Sequence, residues 1–255
     1  MIKHRQEKML CTEMSEYLDL EMYDLHERVH PYYQEMIAEM LEQVKKYTRT
    51  SPSRILEIGS GTGIVTEQLI KIPSLEIDAI DIDKNCCAFL TKKLTNLKKR
   101  GTVNVINGDA VTFCNKNSYD LMLSSFSHDH ISYDRGHVFA KNIAKNLTAG
   151  GVYIMGVEVV PYFRTEYELL QALFKYHGHI ITEALLKGYV TFAPLELTAL
   201  KSGLLNIGDF KRHCVQLEEE MKNGGLSVIF KRKIGPLNRD DLGGVYVFVF
   251  KKVNL

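Results

Sequence analysis

RILEIGSGTGIVTEQL, residues 54–69, is the stretch whose reading decides the fold. An apolar run ends on an acid, three glycines alternate with small residues, and a helical pattern follows. Missing side chains let the backbone turn sharply and approach a ligand, and the first turn of the next helix offers free N–H groups. Gly59, Gly61 and Gly63 are spaced G-x-G-x-G. The nicotinamide and flavin fingerprint G-x-G-x-x-G needs a glycine where Ile64 stands, and no Lys-Ser/Thr pair completes a P-loop. Glu57 lies two residues before the first glycine, where a pyrophosphate gains nothing from negative charge. A ligand with an ammonium group would welcome it; the plainer alternative is an acid bracing the loop.

On either side the texture differs. Before it, EYLDLEMYDLHERV and YYQEMIAEMLEQVKKY carry apolar residues at helical spacing, Pro31 suits a first turn, and TRTSPS reads as a linker. After it, LEIDAIDID, TVNVING, YDLMLSSF and VYIMGVEVV are strands, separated by helical GIVTEQLIK, NCCAFLTKKLTNLKK and GHVFAKNIAKNL. Strands apolar along their whole length, alternating with helices, predict a parallel sheet covered on both faces. Residues 162–223 read as mostly helical, and LSVIFKRKIG and VYVFVFKKV as an antiparallel hairpin at the sheet edge. The expected architecture is an α/β doubly wound, mostly parallel seven-stranded sheet with an antiparallel C-terminal strand. Residues 1–50 form N-terminal cap helices, 51–160 and 224–255 the α/β domain, and 161–223 a helical lid.

Bulk properties exclude several classes. The 255 residues suit one elaborated domain. Lys and Arg total 32 against 31 Asp and Glu, a net charge of +1, so no strong field draws the chain to nucleic acid or an anionic membrane. The five cysteines, Cys11, Cys86, Cys87, Cys114 and Cys214, form no Cys-x-x-Cys pair, which argues against a disulfide scaffold or zinc knuckle and for a cytoplasmic protein with reduced thiols. The opening MIKHRQEKMLCTEMSEYLDLEMYDL reads as neither signal peptide nor membrane span. The basic runs KKLTNLKKR and KRK read as solvated faces.

Three further acids lie at strand ends. Asp81, ending the second strand, is placed to accept ribose hydroxyls, with Asp78 and Asp83 as rivals for solvation or helix capping. Asp109, in VINGDA, can meet an adenine amine or cap the following turn. Taken together, LEIGSGTG, Asp81, NGDA and YDLMLSSF resemble the class I (Rossmann-like) S-adenosylmethionine-dependent methyltransferases over residues 54–157, and LTAGG resembles the family's turn before its fifth strand. The resemblance implies S-adenosylmethionine as cofactor. It places Glu57, Gly59, Ser60, Gly61 and Gly63 at its methionine portion, Asp81 at ribose, Ile82, Asp109 and Ala110 at the adenosine, and Ser124 in the same site. No metal is implied: the fourth strand ends in Ser124, Ser125 and Phe126, without the family's metal-binding Asp or its Asn-Pro-Pro-Tyr base-amine signature.

SHDHIS follows at the edge where the methyl group would sit. His128 and His130 are candidate general bases, with Asp129 as an orienting partner; ordinary loop residues and a metal cluster are the alternatives. His177 and His179 stand in reserve, Tyr23, Tyr32 or Tyr33 are candidates for the cofactor's carboxylate, and Asp209 and Lys211 read as capping or surface charges. The expected function is methyl transfer to an oxygen or nitrogen of a small organic molecule by a monomer or homodimer. A protein- or RNA-modifying methyltransferase and a non-catalytic cofactor-binding scaffold are the alternatives.

Overall fold

The computed structural model describes residues 14–16, 19–48, 53–96, 102–116 and 118–253. Cys11, much of the TRTSPS linker and the end of KKLTNLKKR lie outside these residues. Seven strands make one sheet: β1 (Ser53–Ile58), β2 (Leu75–Asp81), β3 (Thr102–Asn107), β4 (Tyr119–Ser125), β5 (Leu147–Val159), β6 (Leu226–Gly235) and β7 (Gly244–Lys252). Their order is β3-β2-β1-β4-β5-β7-β6. The first five strands pair in parallel, and β7 enters antiparallel between β5 and β6, as the late hairpin implied. From β1 the chain winds outward to β3, then returns to place β4 on the other side. The crevice above the β1–β4 junction is where open α/β sheets bind ligands.

Alternation along the strands separates two cores. Leu56, Ile58, Met122, Tyr153, Phe248 and Phe250 turn to one face, against Phe139 and Ile143 of α5 (Tyr133–Asn146) and Leu217 and Met221 of α8 (Cys214–Asn223). Ile55, Ile77, Leu121, Leu123, Val247 and Val249 turn to the other, against Met36, Ile37, Met40 and Val44 of α2 (Tyr33–Tyr47). Gly156 permits that second contact, since a Cβ there would lie 2.5 Å from the Met40 sulfur. A third cluster joins Val160 to Leu169, Leu173, Tyr176 and Ile180 of α6 (Glu166–Leu186), Phe192, and Leu200 of α7 (Ala193–Leu204). Of the stretch expected to form a lid, α6 and α7 share this cluster, whereas α8 packs with α5 against the sheet.

The helix expected through GIVTEQLIK is only the short α3 (Thr66–Leu69). Gly63 shows why the loop ahead of it is so constrained. Its φ is +85°, and a Cβ would lie 2.3 Å from Leu90 Cδ1 on α4 (Lys84–Asn96), so the third glycine serves helix packing. Gly63→Ala is expected to destabilise the chain by about 2 kcal/mol through overpacking and left-handed strain. An unshifted thermal melting curve would overturn this packing role.

Candidate active site

A cavity of about 260 Å³ opens along the carboxyl edge of the sheet, at the small end of ligand-pocket sizes. One side is built from consecutive strand ends: Gly59 and Gly61 after β1, Asp81 and Ile82 after β2, Asp109 and Ala110 after β3. Asp81 locks the glycine loop by accepting from the Gly61 amide at 2.7 Å and from the Asp83 amide at 2.8 Å. Burial raises its carboxyl above the usual range, against those bonds. Gly61 has φ +49°, and a Cβ there would meet only Met14 Cε at 4.0 Å, so the loop presents bare backbone beside the cavity. Asp109 caps its own turn through the Val111 amide at 2.8 Å and takes the Arg135 guanidinium on its other oxygen.

Several expected site residues lie elsewhere. Strand alternation turns Glu57 into the core, where its carboxylate group bonds the Thr66 hydroxyl at 2.6 Å; it braces the loop instead of lining the cavity. Ser60 is buried away from the cavity, and Gly63 meets α4. Ser124 is fully buried against the Tyr153 hydroxyl at 2.6 Å, while its neighbour Ser125 reaches the cavity. His128 is also fully buried: Nε2 donates to Glu220 at 2.8 Å, and Glu220 in turn holds Arg212 at 2.8 Å. Burial and the Arg212 charge lower the His128 pKa, so this imidazole is a neutral tie between a loop and α8. His130 does line the cavity, its Nδ1 donating to the Gly208 carbonyl at 2.5 Å. Of the candidate tyrosines, Tyr23 lines the cavity, Tyr33 packs on Phe126, and Tyr32 bonds His179 at 3.1 Å. Asp83 caps α4, as one of its sequence readings held, while Asp78 is buried against Arg54 and Tyr119.

The opposite wall comes from α1 (Leu20–Val29), the end of β5, α7 and the segment after it. There Lys211 and Asp209, expected as capping or surface charges, are only 2% and 4% exposed. The Lys211 ammonium lies 2.6 Å from Glu158, 3.2 Å from Asp209 and 3.4 Å from Asp129. Burial opposes its charge, but the three acids outweigh this and raise its pKa. Asp129 thus serves Lys211, bonding neither neighbouring histidine. His30 donates Nδ1–H to the Pro31 carbonyl at 2.8 Å and Nε2–H to Glu158 at 3.0 Å, so both nitrogens are committed as in an imidazolium. Burial works against that cation, and the Glu158 bond overrides it to give a pKa of about 9. His177 holds Glu196 at 2.6 Å. His30, Glu158 and Glu196 offer ligand atoms within 4.8 Å of one another, a set able to hold a cation. Sequence reasoning missed Glu27, His30, Glu158 and Glu196; the available signal was an acid inside the apolar strand VEVV.

Residues 55–151 match the family described as Methyltransferase domain. The chain is 26% identical to a malonyl-[acyl-carrier protein] O-methyltransferase of Bacillus cytotoxicus, over 86% of this chain and 73% of that one. It is 24% identical to a polyamine aminopropyltransferase of Clostridium tetani over half of this chain, and spans 48% of that relative's length. In structure it resembles the N-methyltransferase NodS of Bradyrhizobium japonicum solved with S-adenosylhomocysteine, with a TM-score of 0.57 and 12% identity over 88% of this chain and 89% of that one.

Glu57 yields a pH test. Burial raises its carboxyl to about 8 from 4.5, with the Thr66 bond pulling the other way. A folded-state pKa above the unfolded value means that the protonated form favours folding. This contribution is complete below about 4.5 and is lost as pH rises to about 8. Relative to the parent, Glu57→Gln should therefore gain up to about 1.4 kcal/mol per pH unit across that window, measured by urea unfolding. A pH-independent difference would mean that Glu57 is ionised in the fold.

A glycine loop tied to Asp81 beside a strand-end cavity, on a seven-stranded sheet of this order, joins with these matches to one conclusion: residues 55–151 match a methyltransferase domain, and the chain shares the fold of a methyltransferase solved with S-adenosylhomocysteine.

Proposed function

We propose that this chain transfers a methyl group from S-adenosylmethionine to an oxygen or nitrogen of a small organic molecule. The observation that carries this reading is the two-sided cavity, with the glycine loop and strand-end acids on one wall and a polar wall closed by the lid on the other. The cofactor's fit rests on the bare backbone at Gly61 and on Ser125, which lines the cavity beside it. In this reading Gly59 and Gly61 lie along the methionine portion, Asp81 receives the ribose hydroxyls, and Ile82, Asp109 and Ala110 border the adenine. When bound, the cofactor supplies an activated methyl group on a sulfonium.

The chain's own residues orient the acceptor, exclude water and take its proton. His130 is the histidine for that last task. Its Nδ1 carries the hydrogen given to Gly208, which leaves Nε2 as the basic nitrogen. His30 has both nitrogens committed and serves as a fixed cation.

Calorimetry with S-adenosylhomocysteine tests the cofactor assignment. Asp81→Ala and Asp81→Asn should weaken binding by about tenfold to a hundredfold, the scale of charge-assisted hydrogen bonds. Unchanged affinity in both variants would refute the ribose role. His130→Ala should cut turnover while S-adenosylhomocysteine still binds as before; full turnover would remove His130 as the base.

A further inference from the structure

The inner wall of the cavity is short of positive charge. Five buried carboxyl groups border it: Glu27, Asp129, Glu158, Glu196 and Asp209. Two cations border it with them, Lys211 and the doubly bonded His30. Glu158 consumes much of both, since it takes Lys211 at 2.6 Å, His30 at 3.0 Å and the Tyr176 hydroxyl at 2.6 Å. What remains is under-matched. Glu27 Oε2, Asp129 Oδ1 and Asp209 Oδ1 are buried oxygens without a hydrogen-bond partner, on residues 8%, 2% and 4% exposed. Buried carboxylate oxygens left without donors cost several kcal/mol each unless a cation or a proton arrives. Burial lifts Glu27 to about 7, above the range of a solvated carboxyl.

Beside these oxygens the wall is apolar: Phe126, Ile131, Phe192 and Leu195. An occupant that satisfies both parts has a cationic head and an apolar body. A divalent metal answers the charge less well, because its ligand Glu158 already carries the Lys211 ammonium and the His30 imidazolium. A neutral alcohol leaves the charge unmatched, and an anion adds to it.

We propose that the methyl acceptor is a small amine with an apolar body, drawn into the cavity as its ammonium by Glu27, Asp129 and Asp209. This rests on the methyl-transfer reading above. The ammonium gives one proton to His130 Nε2, which frees the nitrogen lone pair. The N–C bond then forms as the S–C bond breaks, with that bond's electron pair staying on sulfur.

The test is calorimetric titration of the S-adenosylhomocysteine-saturated protein with phenethylamine, 2-phenylethanol and phenylacetate, which share a body and differ in the charge of the head. The amine should bind at least about tenfold more tightly than the alcohol, and the carboxylate more weakly than either. Glu27→Gln and Asp129→Asn should each narrow the amine's advantage by about tenfold and leave 2-phenylethanol binding where it was. Equal binding of amine and alcohol, preference for phenylacetate, or no binding of any probe overturns the proposal. So does manganese binding that the two substitutions abolish while amine selectivity is absent. If S-adenosylhomocysteine itself fails to bind, the methyl-transfer reading falls. In that event the same titration on the ligand-free protein still decides whether the cavity selects an ammonium.

Discussion

The ammonium of Lys211 is the fastener on which the second half of the cavity depends. It joins Asp129 from the loop after β4, Glu158 from the end of β5, and Asp209 from the segment that follows the lid. Those three stretches have no other reason to hold carboxylates together in a dry place. With the lysine there, the like charges stay within bonding distance, and Glu158 is driven well below the usual carboxyl range against its own burial. Ionised in this way, Glu158 holds His30 and so draws the first helix over the cavity. Sheet, lid and N-terminal helix thus meet through one buried salt-bridge network, whose members are costly to remove singly.

The two walls differ in how far they could be seen from the sequence. The strand-end wall was legible because each part is local: a glycine loop directly after a strand, then an acid at each of the next two strand ends. Parallel winding brings such positions together automatically. The inner wall is assembled from residues 27, 30, 129, 158, 196, 209 and 211, far apart in the chain and linked by no spacing rule. Lys211 in GDFKRH reads as an ordinary surface charge, and only the packed fold removes it from water.

Errors within the legible half share a cause as well. The resemblance put Glu57 and Ser124 at the cofactor, with loop bracing as the alternative for Glu57, but alternation decides which way such a side chain points. Glu57 falls on the Ile55 side, under Thr66, and Ser124 falls beside Tyr153. His128 and His130 differ in the same manner: the short helical turn over His128–His130 sends one ring into the core against Phe139 and leaves the other at the cavity. Sequence proximity located the right edge of the sheet and not the right faces.

The division of the cavity has a consequence for how such a chain can diverge. The stretch that matches the methyltransferase family, residues 55–151, carries the glycine-loop wall and Asp129 of the inner wall, whereas Glu27, His30, Glu158, Glu196, Asp209 and Lys211 fall outside it. In the proposed reading, acceptor recognition is thus shared between this stretch, through Asp129 and His130, and the segments on either side of it. Under that reading, substitutions at Glu27 in the first helix and at Asp209 after α7 would change the inner wall without touching the glycine loop or the strand-end acids.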